Sequence, residues 1–542
     1  MFKSTDKCFE LFLNLAVMMG RVLAVSLLML LTACRPEVRD SVPSQQTDIP
    51  ISLTATSPTH PAISPTKLVR SSPTVASSPT PQPVTLVVPA RWSGITSEAI
   101  DQLSKDTELW VWQLNIREDP ADELAQGKAD VSLVSGDEGI PAGQRPLALV
   151  VPFTSDWETI SLVEAKQIQT TGSPFVAVMD WADTPATHRA LRVDGLHPSD
   201  PDYPLQQPWS LVAAPSYEAA ATELAPALED LLEDDPLVHL ASVGDVMLDR
   251  ALGEAIRAGD LTYPFAEITS LLIPADFTVG NLESALGDQG APVNKGYTFR
   301  APPEAAQTLS MAGFDLLSLA NNHTLDYGPQ ALQQGMDLLH QQDIATVGAG
   351  PDQVSAHQPY IRQVNGLTLA FLAYVHVPVE VRGFNTQTWT ATAKHPGLAW
   401  ADPVQIQADV SDACQQADLV IVLLHSGYES VPEPSPPQIA AAHAAIDAGA
   451  SLVIGHHAHV LQGIEFYRDG VIAYGLGNFA FEDAGPPESA ILNVWLDSDG
   501  VRQLEFMPVI LEPDGHPRPA IEAEATAILQ WIYSLTTAVS QP

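Results

Sequence analysis

Ser451-Leu452-Val453-Ile454-Gly455-His456-His457-Ala458-His459 decides how this 542-residue chain is read. A short apolar run closed by glycine has the pattern of a buried strand. Three imidazoles within four residues straight after it gather neutral nitrogen donors at a strand's carboxyl end. Open α/β sheets build their sites there, and imidazole is the commonest protein ligand for zinc, iron and related metals. A lone histidine reads as a satisfied core residue, whereas a cluster at a strand-to-loop junction reads as a site.

Four earlier apolar runs end in the same way. Leu240 to Val243 leads to Gly244-Asp245, where a carboxylate could reach a metal or cap the helix expected over 250–258. Phe277-Thr278-Val279 leads to Gly280-Asn281-Leu282-Glu283. Asn281 and Glu283, two apart in extended chain, would point the same way, and an Asx turn is the plainer alternative. Phe314 to Ala320 leads to Asn321-Asn322-His323, followed by Gly328-Pro329 and a helix over 330–341. Asn322 could ligate or bind an oxyanion, and His323 could ligate or donate a proton. Leu419 to Leu424 is apolar throughout, as a strand buried on both faces would be, and delivers His425 at its tip. An amphipathic helix over 437–450 carries His443, which reads as structural, and Asn478 in a glycine-broken strand borders the site or merely marks an edge.

In this order the motifs resemble the calcineurin-like metallophosphoesterases. Gly-Asp-Val-Met-Leu (244–248), Gly-Asn-Leu-Glu (280–283), Leu-Ala-Asn-Asn-His-Thr-Leu-Asp-Tyr-Gly (319–328), Gly-His-His-Ala-His-Val-Leu-Gln-Gly (455–463) and Gly-Leu-Gly-Asn-Phe (475–479) are similar to the CapA branch, the poly-γ-glutamate capsule synthesis family. The resemblance spans 237–512 and implies an α/β fold, a layered sandwich of two mixed β-sheets flanked by helices. It implies metal ligation by Asp245, Asn281 or Glu283, Asn322, His425, His457 and His459, with His323 protonating the leaving group beside Asn322. Two departures stand out. Met247 replaces the usual histidine two residues after Asp245, and a thioether is a poor ligand for such metals. Neutral Asn281 replaces the carboxylate that bridges two ions, which favours one divalent ion over two unless Glu283 substitutes. A smaller departure is His425-Ser426-Gly427, where the branch usually has His-Trp-Gly.

The N-terminus reads as an address. Basic residues precede an apolar stretch from Val22 to Leu31, which ends in Leu31-Thr32-Ala33-Cys34. It resembles a lipoprotein signal over 1–34, implying cleavage before Cys34 and lipid on its sulfur; an uncleaved anchor is the alternative. Residues 35–83, rich in Pro, Ser and Thr, read as a disordered tether. Cys414 is the one cysteine left for the folded part, so no intramolecular disulfide is expected there. Residues 84–235 alternate strand and helix patterns and are loosely similar to a lobe of a periplasmic solute-binding protein; 513–542 is expected as a helical tail. With 65 acidic against 25 basic residues and a net charge of −40, nucleic acid is excluded as a partner.

The leading expectation is a lipid-anchored, extracytoplasmic envelope protein of poly-γ-glutamate synthesis or export. Its partners would be the membrane, an anionic polymer and the synthesis machinery, and its site a metal-assisted hydrolase or transferase centre. The alternatives are a secreted metal-dependent phosphoesterase and a non-catalytic tethered scaffold.

Overall fold

Strands buried on both faces build the sheets that carry the site. The computed structural model describes residues 80–106, 109–233, 236–380, 382–482 and 485–539. The signal, Cys34 and the tether through residue 79 lie outside the described residues, as do Asp234 and Asp235 at the expected boundary. Among the described residues no helix is long and apolar enough to cross a membrane.

The site-bearing strands are β1 (Val238–Val246), β2 (Phe277–Leu282), β3 (Leu316–Ser318), β4 (Leu367–His376), β5 (Leu419–Ser426), β6 (Leu452–His456), β7 (Asn478–Ala480), β8 (Glu488–Asp497) and β9 (Gly500–Leu511). An eight-stranded sheet contains β3-β2-β1-β8-β9 in that order, with β7 paired to β1. A six-stranded sheet contains β4-β5-β6. In both, the strands that end at the site run parallel, while β8 returns antiparallel to β1. The chain is therefore an α/β protein with mixed sheets, as the alternating pattern predicts.

Leu369, Phe371, Ala373, Val375, Ile421 and Leu423 share an apolar core with Leu240, Val279 and Leu316 of the other sheet. The intervening Ala370, Leu372, Tyr374, Val420, Val422 and Leu424 face a second core under helices α1 (Pro403–Ala413) and α2 (Pro436–Asp447). Both faces of β5 are thus covered, which is why its run shows no polar alternation. The expected helix over 437–450 corresponds to α2, opened by a capping box between Ser435 and Gln438. Cys414 closes α1 with an exposed thiol near the Gly449 carbonyl.

Two glycines permit close backbone approach at the site. A Cβ on Gly244 would lie 2.1 Å from the Gly477 carbonyl oxygen, and one on Gly455 would lie 1.9 Å from that of Tyr474. Their bare Cα atoms let neighbouring backbone draw in just before Asp245 and the histidine run.

The segment from Gln82 to Ala213 forms a seven-stranded mixed sheet packed against the helices Ser93–Asp106 and Glu218–Glu233. It is joined to β8 and β9 by polar and aromatic contacts. Gln503 Oε1 accepts from the Ala190 N–H (3.0 Å) and the Trp181 indole N–H (3.2 Å), Arg192 pairs with both oxygens of Glu505 (2.9 Å each), and His197 stacks on Trp495 of β8 at 4.0 Å. The helix Glu522–Val539 buries Ile528 and Ile532 in the core shared by the two site-bearing sheets.

Candidate metal centre

Register places the polar tips together. Asp245 stands opposite Asn281 across β1 and β2, and opposite Asn478 across β1 and β7. In the other sheet His425 stands opposite His456. The sheets are stitched at this end: the His457 N–H donates to Asp245 Oδ2 (3.1 Å), and His456 Nε2 lies 3.1 Å from the Val243 carbonyl oxygen. Asp245, Asn281, Glu283, Asn322, His323, His425, His457 and His459 are all buried in this cluster. His457 (φ 88°) and His459 (φ 54°) both take left-handed backbone conformations, which cost about 1–3 kcal/mol each and concentrate at functional sites.

The two candidate donors at the end of β2, Asn281 within it and Glu283 just beyond it, behave differently. Asn281 is fully engaged: its Nδ2 donates to Asp245 Oδ1 (2.8 Å) and lies 3.2 Å from His425 Nδ1, while its Oδ1 accepts from Asn321 (3.0 Å). Glu283 has neither carboxylate oxygen hydrogen-bonded, although it is wholly buried. Its Oε1 lies 3.6 Å from His425 Nε2, 3.9 Å from His459 Nε2 and 4.0 Å from His323 Nε2. A buried carboxylate without partners costs several kcal/mol, and a cation between it and the imidazoles would offset that cost. His457 Nδ1 is likewise buried without a partner. Glu283, His425 and His457 form one group able to hold a metal, and Asp245, Glu283 and His459 another, with one ligand atom from each residue within 4.8 Å of the others. Glu283 belongs to both groups. Carboxylate with imidazole suits zinc, iron or manganese.

Surrounding residues orient these donors. Asn322 Oδ1 lies 2.7 Å from His425 Nε2, and Asn478 Oδ1 lies 2.8 Å from His459 Nδ1. His443 stacks on Tyr467 and pairs with Glu465, away from the cluster, so it is structural as read from the sequence. Met247 is buried in a small apolar cluster with Phe299, Phe481 and Leu511, of which Phe299 lies against the His323 ring and Phe481 against that of His459.

Four residues here were not legible as site residues in the sequence: Asp326, Lys295, Glu380 and Glu429. Asp326 Oδ2 lies 2.7 Å from His323 Nδ1 and directs the ring's Nε2 toward Glu283. Lys295 Nζ is buried between Asp326 and Glu380 (2.8 Å each), donates to the Asn322 carbonyl and lies over the Trp389 ring at 5.1 Å. The His-x-x-Asp spacing of His323 and Asp326 was a usable signal. The other three sit on loops, where no periodicity marks a residue.

Electrostatics divides the imidazoles. Burial, then the neighbouring His459 charge, pushes His457 down to about 3, and burial followed by His457 holds His425 well below the ordinary value. Both are therefore neutral donors near pH 7. Burial also opposes a charge on His459, but Glu283 and then Asp245 outweigh it and push its pKa up to about 10. Burial, then Asp245, raises Glu283 well above the usual carboxylate range. For Asp245 the burial effect is overcome by His459, 3.4 Å away, and by His456 and His425, so its carboxyl stays below that range.

Fold and site together define the class: an α/β protein with a buried imidazole–carboxylate centre at the carboxyl ends of its parallel strands. The bacterial capsule synthesis protein family PGA_cap matches residues 239–483. The chain is 32% identical over 294 residues to the capsule biosynthesis protein CapA of Bacillus anthracis, covering 52% of this chain and 70% of that one. It is 31% identical over 280 residues to the PGA biosynthesis protein CapA of Bacillus subtilis, covering 51% and 72%. A probable polyglutamine synthesis accessory protein of Mycobacterium tuberculosis is 30% identical over 256 residues, covering 45% and 66%. The chain belongs to the CapA family of bacterial capsule synthesis proteins.

Proposed function

We propose that this chain is an extracytoplasmic accessory protein of poly-γ-glutamate capsule synthesis or export, held at the membrane by lipid on Cys34. Its strand-end cluster binds divalent metal and serves hydrolysis or group transfer in that pathway, working beside the synthesis machinery. The names of its relatives support the pathway, and the core shared between two sheets supports a metallophosphoesterase-like layering. The observation that carries the site reading is Glu283, a buried carboxylate with neither oxygen hydrogen-bonded and one of them 3.6–4.0 Å from three imidazoles.

Asp245, Glu283, His425, His457 and His459 would hold the ion. Because Glu283 belongs to two groups, two adjoining positions that share it fit better than the single ion expected from Asn281. A bound divalent ion supplies Lewis acidity in this pocket. Asn322 orients His425, and Asp326 fixes Nδ1 of His323 so that Nε2 faces the reacting side and exchanges the proton there.

Deletion of the gene in its own host is expected to abolish poly-γ-glutamate output. The wild-type gene should restore it, and Cys34→Ser or His459→Ala genes should not. Full output with His459→Ala would point to a scaffold. Turnover of aryl phosphates by the metal-loaded protein, with polymer output unaffected by the deletion, would point to a phosphoesterase.

Metal uptake should also release protons. The pKa values of His459 and Glu283 are both raised in the metal-free protein, and a metal ligand must be deprotonated. At least one proton is expected to leave this pair as metal binds at pH 7, so apparent affinity should rise with pH, by about tenfold per pH unit for each proton released. Calorimetric titration in buffers of different ionisation enthalpy measures this. Heats that do not depend on the buffer would contradict a proton held by the pair.

A further inference from the structure

We infer that Glu429 is an outer carboxylate ligand: with His457 and His459 it forms a cation position at the mouth of the cluster, open to solvent and to an anionic ligand. The inference rests on the metal-centre reading above and extends it to a residue outside the motif set.

Glu429 lies four residues beyond His425, in the loop that leaves β5. Two bonds pin that loop against the histidine run. The Ser430 N–H donates to the carbonyl of Ala458, the residue between His457 and His459 (2.8 Å), and Gln462 Nε2 donates to the Val431 carbonyl (2.8 Å). Ser430 takes a left-handed conformation (φ 62°), so the loop turns sharply just after Glu429. One ligand atom each from Glu429, His457 and His459 then lie within 4.8 Å of one another.

Among the described residues the exposed Glu429 carboxylate forms no hydrogen bond or ion pair, whereas His457 and His459 are only 4% and 8% exposed. The second sign of a ligand is His457 Nδ1, buried and without a hydrogen-bond partner, in the imidazole that the outer group shares with the inner one. The group thus offers an oxygen and two nitrogens from the protein side and leaves solvent on the other. Such a half-filled coordination sphere keeps positions for water or for an anion. In a chain of net charge −40, a cation held here would provide local positive charge for a carboxylate or phosphate approaching the site. Because His457 and His459 each also belong to a group around Glu283, the inner and outer positions compete for both imidazoles, and Glu429 is the one ligand peculiar to the outer position.

The test is Mn2+ and Zn2+ binding to the full chain, followed by calorimetry and by loss of the free-ion Mn2+ resonance. Wild type, Glu429→Gln, Glu429→Asp and Glu283→Gln are compared. The expected result is a loss of about tenfold or more in affinity for Glu429→Gln and a partial loss for Glu429→Asp, with the melting temperature of the metal-free protein unchanged in both. Inorganic phosphate should broaden the bound-Mn2+ spectrum of wild type and have little effect on Glu429→Gln. Equal affinity in wild type and Glu429→Gln would overturn this inference while leaving the inner centre intact. Absence of binding in wild type would overturn the metal reading and this inference together.

Discussion

Glutamine in place of Glu283 is expected to abolish metal retention and, at the same time, to stabilise the metal-free protein. Glu283 is the one residue common to both inner groups, so its loss should weaken binding by more than about a hundredfold, beyond the 10–100-fold typical of outer-shell partners. The stability effect has the opposite sign. In the metal-free protein a buried carboxylate has no hydrogen bond and faces a second carboxylate, Asp245. The amide has the same shape and no charge, and His459 keeps Asp245 as a partner at 3.4 Å. A gain of about 1–3 kcal/mol is expected at pH 7. The folded-state pKa of Glu283 is raised from 4.5, so its ionisation penalty is absent below that pH and grows as pH rises toward the folded value. The advantage of the variant should therefore vanish near pH 4.5. Added metal should shift the ranking toward wild type by about 2.7 kcal/mol at a hundred times its dissociation constant, because the variant gains almost nothing. Thermal unfolding with and without chelator, at two pH values, measures all three effects. A variant less stable without metal, or one still stabilised by it, would count against Glu283 as the central ligand.

Much of this centre was legible because strand patterning is local. The apolar runs before Asp245, Asn281, His425 and His456 state where buried strands end, and parallel strands deliver their tips to one edge. The helix-cap reading of Asp245 fails on position: it lies within β1, and Asp249 occupies the N-cap of the helix Arg250–Arg257. The sequence left Asn281 and Glu283 as alternatives because the period-two rule puts both on one face. The structure bears this out: Asn281 Nδ2 lies 3.2 Å from His425 Nδ1 and Glu283 Oε1 lies 3.6 Å from His425 Nε2, so both reach the same imidazole, and only their other partners separate them. Lys295, Glu380 and Glu429 were hidden for a different reason. Each comes from a loop and meets its partners only through tertiary packing, such as the 31-residue separation of Lys295 from Asp326. The junction with the first sheet was hidden likewise, since Gln503 and Glu505 on a strand read as ordinary solvent-facing residues until Ala190 and Arg192 are seen against them.

Lys295→Met is expected to cost about 3–5 kcal/mol, because it breaks a buried ion cluster from its centre. The lysine and Asp326 side chains are fully buried and Glu380 is 9% exposed, with both carboxylates 2.8 Å from the ammonium. Removing the cation leaves two carboxylates facing each other in a site with little water. Asp326 retains the Phe299 N–H (2.8 Å) and His323, while Glu380 retains the Thr386 hydroxyl (3.0 Å), so the loss should be large but not the whole desolvation cost. Adding Glu380→Gln should recover part of it, a coupling that isolated surface pairs do not show. The same substitution reaches the site. Burial is the main cause that lowers the pKa of His323; Lys295 lowers it further, while Asp326 raises it. Without the lysine, the Asp326 effect is less opposed and the His323 pKa should rise. Urea unfolding of the single and double variants, with a proton titration of His323, measures both outcomes. A stability change below about 1 kcal/mol, within the range of exposed pairs, together with an unmoved His323, would mean that Lys295 neither holds the loop bearing Glu380 nor sets the proton affinity of the residue facing Glu283.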